Sequence, residues 1–253
     1  MPSASALRLE IERALEHRFP AALTPAPKTI YEVAPTGVAP VDALLEGGLP
    51  VGAISEVTGP ESSGRTSLTL AFLSRRTEGG QVCAWVDVGD AFDPESAAAS
   101  GVGLKQLLWV RCRSESGFPR TKPWTRLDQA LRATDLLLQA GGFAAIVLDL
   151  GDVEPAHAMR IPLATWFRFR QASDRTRCCL VVLGKTAYAQ SSAAVALEST
   201  PFRPKTVGGT VWRGCTFEVR RERQRFTPQF ATARKPPASV WSANTAWDRV
   251  RSA

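Results

Sequence analysis

The sequence predicts an α/β fold with a largely parallel central sheet flanked by helices. Five short segments are apolar along almost their whole length, as strands buried on both faces are. They alternate with segments whose apolar residues recur at helical spacing. The first strand is followed by a glycine-rich loop and then by a helix. Strands and helices in this alternation build a parallel sheet that is covered on both sides.

Each predicted element follows from its own residues. The strands are predicted at residues 53–58, 81–88, 107–112, 143–150 and 178–184, and the helices at 39–45, 65–78, 93–101, 125–141 and 162–175. Asp93 is expected to cap the third helix, with Pro94 at its first position. The glycine pair at 141–142 is expected to end the fourth helix. Further along the chain, the alanine-rich segment 191–200 is predicted to be helical, and 208–226 alternates as one or two strands.

The composition divides the chain into three parts. Residues 1–30 are predicted to hold a helix and a Pro-rich linker, and residues 31–226 the core. Residues 227–253 are rich in Pro, Ser and Ala and are predicted to form a poorly ordered tail, with Trp241 and Trp247 as its only anchors.

Charge and cysteine usage narrow the functional classes. No apolar run is long enough to span a membrane and the N-terminus lacks the features of a secretory signal, so we expect a cytoplasmic protein. The five cysteines have no zinc-type spacing and are expected to be buried thiols. The formal net charge is +7, and nine Lys/Arg against two acidic residues lie between positions 203 and 235. Such a stretch attracts phosphate backbones, or it serves as a solvated strand face and tail.

The motif that carries chemistry is GPESSGRTS, residues 59–67. Its glycines allow backbone N–H groups to approach phosphate oxygens, and the following helix N-terminus adds positive potential. The candidate nucleotide-binding residues are Gly59, Ser62, Ser63, Gly64, Arg65, Thr66, Ser67 and Asp149. Thr66, and Asp149 at the end of the fourth predicted strand, are the candidate magnesium ligands. The candidate cofactor is therefore ATP with magnesium.

Arg65 separates this loop from the phosphate-loop pattern, which has lysine at that position. Lysine places one compact charge between the β- and γ-phosphates, whereas arginine is longer, planar and forked. The loop is therefore expected to hold a phosphate but to stabilise phosphoryl transfer poorly.

Several segments resemble RecA. They are TGVAPVDALLEGGLPVGAISEVTGPESSGRTSLTL, CAWVDVGDAFDPESAAASGV, AAIVLDL and VGGTVWRGCTFEVRR. The resemblance covers about residues 36–226 and implies a RecA-like phosphate-loop core with no counterpart of RecA's C-terminal domain. It also reveals three departures. Arg65 replaces the loop lysine, Gly89 replaces the glutamate that orients the attacking water, and Gly184 with Lys185 replaces the glutamine sensor. Altered together, they indicate a degenerate ATPase site.

This combination is similar to the ImuA family of bacterial mutagenesis cassettes. That resemblance implies a non-recombinase accessory protein of SOS-induced, error-prone translesion DNA synthesis after DNA damage. Its implied partners are an ImuB-type Y-family polymerase-like protein, RecA and single-stranded DNA. Two other functions stay open. One is a DNA-dependent ATPase in which Asp90 replaces the missing glutamate, and the other is an interaction module that competes with RecA for filament ends.

Contacts with DNA and with partners are predicted from the same resemblance. The two DNA-gripping loops of RecA correspond to residues 151–160, which include acidic side chains, and 185–209. The weak DNA-binding candidates are Lys185, Arg203 and Lys205. A helix at residues 7–19 is expected either to dock on the core of another RecA-type protein or to pack on the core of its own chain. The sequence FPAA at 19–22 also matches the F-x-x-A assembly motif of eukaryotic recombinases.

Overall fold

The computed structural model describes residues 29–112, 123–207, 211–228 and 238–244. The predictions for the N-terminal helix, for the FPAA sequence and for Trp247 lie outside these residues. Within them, no helix is both long and apolar enough to cross a membrane.

The described residues form six α-helices, two short 3-10 helices at Leu104–Gln106 and Gln190–Ser192, and thirteen strands. The helices are α1 Ala39–Leu45, α2 Arg65–Glu78, α3 Pro94–Ala99, α4 Pro123–Ala140, α5 Pro155–Ala158 and α6 Leu163–Thr176. The strands are β1 Thr29–Tyr31, β2 Val33–Ala34, β3 Leu49–Pro50, β4 Ile54–Thr58, β5 Cys83–Asp87, β6 Leu107–Arg111, β7 Ala145–Asp149, β8 Cys179–Gly184, β9 Ala193–Ser199, β10 Arg203–Val207, β11 Val211–Gln224, β12 Phe226–Pro228 and β13 Ala238–Asn244.

The main sheet has nine strands. Eight follow the order β10-β11-β9-β4-β8-β7-β5-β6, and β13 pairs with β11 beside this path. The five predicted strands are β4 to β8, and all their mutual pairings are parallel. Strand β9 continues the parallel part beside β4, and β11 then pairs antiparallel with β9, β10 and β13. The predicted α/β fold with a largely parallel sheet is confirmed.

The core lies on both faces of this sheet. Alternate residues of β5 point to opposite sides, so Trp85 belongs to one apolar cluster and Val86 to the other. Phe72 of α2 packs in the first cluster, and Trp166 and Phe169 of α6 pack in the second. The predicted cap of α3 is also confirmed, because the Asp93 carboxylate accepts from the backbone N–H groups of the second and third helical residues, each at 3.2 Å.

The alanine-rich segment is a strand, and the helix predicted there is wrong. Residues 193–199 form β9, which lies between β4 and β11 in the sheet. Val195 and Leu197 are fully buried. Pairing on both edges and burial outweigh the helix propensity of alanine, which is only a weak preference in a tertiary context.

Part of the predicted tail belongs to the sheet. Residues 238–244 form β13, which pairs antiparallel with β11, so the expectation of a poorly ordered tail is wrong for these residues. Trp241 is 8% exposed and stacks on Phe217 with 4.5 Å between ring centroids. The role of Trp241 as an anchor is therefore confirmed. The composition of this segment does not indicate a strand, because the strand forms through its pairing with β11, which lies earlier in the chain.

Candidate nucleotide site and DNA-facing connections

The phosphate loop joins β4 to α2, and the antiparallel part of the sheet supports it. Gly64 has a φ of +83° and is the N-cap residue directly before α2. A Cβ atom at this position would lie 2.5 Å from Cδ1 of Phe217, so only glycine fits. The backbone N–H of Phe202 donates to the Ser62 carbonyl oxygen at 3.3 Å. The loop shape thus depends on β11 and on the segment before β10.

The ligand-facing part of the loop is open. Ser62, Thr66 and Ser67 are exposed, whereas the Ser63 hydroxyl is buried and has no hydrogen-bond partner. Beside the loop lies a cavity of about 550 Å³. Its lining residues are Gly37, Val38, Ala39, Pro40, Ser67, Ala71, Ser100, Val240, Trp241 and Ser242. Of the loop residues 59–67, Ser67 alone lines this cavity, so the cavity meets the loop at the start of α2.

Asp149 lies at the end of β7, as the sequence predicted. Its Oδ1 accepts the backbone N–H of Gly151 at 2.9 Å. The pKa of Asp149 is raised to about 6, mainly by burial and in smaller part by the neighbouring carboxylates of Asp87 and Asp152. The Gly151 hydrogen bond and the Arg65 guanidinium lower it. Asp149 is therefore surrounded mainly by other acidic groups, with Arg65 as a nearby positive charge.

The Arg65 guanidinium lies at the end of β7. A Cβ atom built on Gly151 would be 3.5 Å from Arg65 Nη2 and 3.0 Å from Asp149 Oδ1. The Nη1 atom of Arg65 is buried and has no hydrogen-bond partner. The structure therefore brings two predicted site residues, Arg65 and Asp149, to the same stretch of backbone.

The space beside Gly89 is filled by a residue that the sequence did not identify as part of the site. A Cβ atom at Gly89 would overlap the Asp152 carboxylate, which comes from the connection after β7. Asp90 points elsewhere, because its carboxylate makes a bidentate pair with Arg111 on the edge strand β6, at 2.6 and 3.0 Å. The Asp152 carboxylate thus occupies the space where a side chain at position 89 would begin. No local motif could have identified it, since the contact joins two different strand ends.

The glycine at position 184, like Gly89, lies beside a side chain that fills the adjoining space. A Cβ atom there would overlap the ring of Tyr188, which is 3% exposed. The tyrosine ring therefore occupies the space at the end of β8 where a side chain at position 184 would begin. Of the three departures, those at Gly89 and Gly184 are each matched by a neighbour that fills the free space.

The connection between β8 and β9 is a crossover of only eight residues, 185–192. Both strands lie parallel to β4 on either side of it, so the connection returns across the face of β4. Glu56 of β4 holds it there, because Glu56 Oε1 accepts the N–H groups of Tyr188 at 2.5 Å and Ala189 at 2.7 Å. Parallel crossovers usually need a dozen or more residues and a helix. Over residues 185–207, the part of the predicted DNA loop that the structure describes, the chain is therefore a short crossover ending in a 3-10 turn at Gln190–Ser192, followed by strands β9 and β10.

The three DNA-binding candidates lie in different surroundings. Lys185 pairs with Glu61 of the phosphate loop at 3.3 Å. Arg203 and Lys205 are exposed on β10, an edge strand of the sheet. Lysine and arginine on an edge strand also protect it from pairing with other chains.

Several arginines of the basic stretch at residues 203–235 donate hydrogen bonds to other groups of the same chain. Four of its arginines have internal acceptors: Arg220 with Glu218, Arg221 with the Leu44 carbonyl, Arg223 with Glu56 and Arg225 with the Ser191 carbonyl. These contacts tie β11 to α1 and to β4, and they tie Arg225, which follows β11, to the crossover. The charge run therefore has a structural role that the composition did not reveal.

The sequence profile of the RecA N-terminal domain matches residues 6–153, which is more than half of the chain. The chain belongs to the RecA family. Among its curated relatives, the RecA protein of Rickettsia canadensis is 30% identical over 174 residues, which cover 63% of this chain and 47% of the relative. For the RecA protein of Brucella anthropi the identity is 32% over 175 residues, covering 63% and 45%.

A solved structure of the RadB recombinase has the same fold. It matches with a TM-score of 0.57 and 18% sequence identity, covering 83% of this RecA-family chain and 94% of RadB. The RecA protein of Ruegeria pomeroyi is 41% identical over a shorter stretch of 119 residues, covering 47% of this chain and 31% of the relative. The chain thus spans less than half the length of these curated relatives.

Proposed function

We propose that this RecA-family chain is a non-recombinase accessory protein of error-prone translesion DNA synthesis. It acts in the cytoplasm during the SOS response as an ImuA-type protein. It works through contacts with an ImuB-type polymerase-like protein and with RecA. The observation that carries this proposal is the crossover at residues 185–192. A connection of eight residues that lies across β4 and is held there by Glu56 is too short and too firmly bound to form a DNA-gripping loop.

The nucleotide site supports the same function. Gly89 and Gly184 are accompanied by Asp152 and Tyr188, which fill the space beside them. A family member that hydrolyses ATP needs side chains at those two places, as the resemblance to RecA implies. Asp152 and Tyr188 occupy the space beside the two glycines. In this proposal, the site therefore works without hydrolytic side chains at positions 89 and 184.

A nucleotide nevertheless fits the site. The loop backbone at residues 59–64, the exposed Thr66 hydroxyl and the adjoining cavity of about 550 Å³ are suited to a nucleoside polyphosphate. When bound, the nucleotide supplies a phosphate anhydride, and the role of this chain's residues is to bind it. In this proposal, occupancy of the site stabilises the fold that the partners recognise.

Turnover and strand exchange test the proposal directly. Purified protein is assayed for ATP hydrolysis and for DNA strand exchange, with and without single-stranded DNA, beside RecA under the same conditions. We expect no DNA-stimulated turnover and no strand exchange. Co-purification with the ImuB-type protein, and an altered rate of RecA filament formation, are the positive results expected. RecA-like turnover with DNA would refute the proposal.

A DNA-dependent ATPase is the second candidate, and the position of Asp152 favours it. The carboxylate that replaces the missing glutamate is then Asp152, since Asp90 is paired with Arg111. Under this alternative Asp152→Asn abolishes turnover while Asp90→Asn retains it. If neither variant changes a measurable rate, this candidate is wrong.

A further inference from the structure

The guanidinium of Arg65 approaches the carboxylate that usually serves a metal ion. Arg65 Nη2 and Asp149 Oδ1 lie 3.5 and 3.0 Å from the same point, the Cβ position of a residue built at Gly151. Arginine stays charged at every pH at which proteins fold. A fixed positive charge therefore stands beside Asp149 before any ligand binds.

A divalent cation does not fit this arrangement. Thr66 and Asp149 are the candidate magnesium ligands. Arg65 directly precedes Thr66 in sequence, and its guanidinium lies near Asp149 in space. Two like charges near one carboxylate repel each other, most strongly where water is scarce. Asp149 Oδ1 also already accepts the Gly151 N–H at 2.9 Å.

Arg65 also has a donor left over for an anion. Its Nη1 is buried without a hydrogen-bond partner. A buried donor on a charged group is costly when it has no acceptor. A phosphate oxygen is an acceptor that matches the forked geometry of a guanidinium. The glycine backbone of the same loop supplies further donors for the phosphate.

We infer that Arg65 takes the place of the divalent cation, so that this loop binds a nucleoside polyphosphate without a metal ion. The inference rests on the nucleotide site of the proposed function, and it specifies how that site neutralises the phosphate charge. It also accounts for arginine in the lysine position. An arginine side chain is longer than a lysine side chain, so its guanidinium comes closer to the end of β7 than a lysine ammonium would.

The test is equilibrium binding of a fluorescent ATP analogue to the full chain, with excess magnesium chloride or with EDTA. Wild type is expected to bind with affinities that agree within about threefold in the two buffers. Arg65→Lys is expected to bind at least about tenfold more tightly with magnesium than with EDTA, because a lysine leaves room for the cation beside Asp149. Arg65→Ala is expected to lose about tenfold or more in both buffers.

Arg168→Lys is the matched control, since Arg168 is an exposed arginine on α6 that pairs with Asp135. It should bind as wild type does in both buffers, and thermal unfolding of each variant confirms that it is folded. Three results would overturn the inference: wild-type binding that needs magnesium, Arg65→Lys binding that ignores it, or no binding by wild type in either buffer. Turnover is measured in the same samples. DNA-stimulated hydrolysis would refute the proposed function, whereas a metal requirement without hydrolysis would refute only this inference.

Discussion

Removing the Glu56 side chain should release the crossover and destabilise the whole domain. Glu56 is 1% exposed, and its Oε1 accepts two backbone N–H groups, from Tyr188 at 2.5 Å and Ala189 at 2.7 Å. Its Oε2 pairs with Arg223 at 3.3 Å. Glu56→Ala leaves two buried donors unsatisfied and one guanidinium without its carboxylate.

The expected loss follows from these three contacts. An unsatisfied buried donor costs about 1–3 kcal/mol. Breaking a buried ion pair by removing one partner costs about 3–5 kcal/mol. These costs overlap, because the local structure relaxes, and Arg223 keeps some exposure to water. We therefore expect Glu56→Ala to lower the free energy of unfolding by about 4 kcal/mol. That is a large part of the about 5–15 kcal/mol available to a typical domain.

Urea unfolding followed by circular dichroism measures this change. Glu56→Gln keeps an acceptor for the backbone donors but loses the charge, so its loss should be about half as large. Glu78→Ala is the matched control, because Glu78 forms an exposed pair with Arg75 on α2 and should cost less than about 1 kcal/mol. If Glu56→Ala costs no more than Glu78→Ala, the crossover is not held by Glu56. The main support for a chain without a DNA-gripping loop would then be lost.

Three further predictions concern the glycines and Asp149. Gly64→Ala should lower the free energy of unfolding by about 2 kcal/mol or more, because its φ is +83° and Phe217 leaves no room; thermal unfolding measures this. Gly184→Gln should destabilise the protein, and Tyr188→Ala in the same chain should restore part of the loss; without that rescue the packing argument is wrong. The pKa of Asp149 is raised from 3.8 to about 6, so the native state holds this proton more tightly than the unfolded chain does. The free energy of unfolding should therefore fall as the pH rises from about 4 to above about 6, by at most about 3 kcal/mol. Asp149→Asn should flatten that part of the curve in urea unfolding at several pH values, and an unchanged slope would contradict this.

The parallel half of the fold could be predicted because its signals are local. The apolar runs of β4 to β8 and the capping aspartate of α3 depend on neighbouring residues alone. The antiparallel half could not be predicted in the same way. Strand β9 is rich in alanine and becomes a strand only between β4 and β11, and β13 is a strand only beside β11. Those pairings are set by long-range contacts that no window of sequence contains.

The candidate site shows the same division. The phosphate loop and Asp149 follow from motif and position, and the structure places both at the carboxyl ends of β4 and β7. Asp152 and Tyr188 could not be identified, because their roles depend on the strand ends they meet at Gly89 and Gly184. The sequence identified the missing side chains, while the structure identified the groups that replaced them.

The side chains beside Gly89 and Gly184 decide what a larger residue at either position would meet. A glutamine at position 184 would meet the buried ring of Tyr188 and would need a second change, whereas a glutamate at position 89 would meet the exposed carboxylate of Asp152, which can turn aside. Tyr188 in turn belongs to the crossover that Glu56 holds across β4. The end of β8 and the path of the crossover are thus parts of one packed unit. A longer connection and a larger side chain at position 184 would therefore both require that unit to be rebuilt.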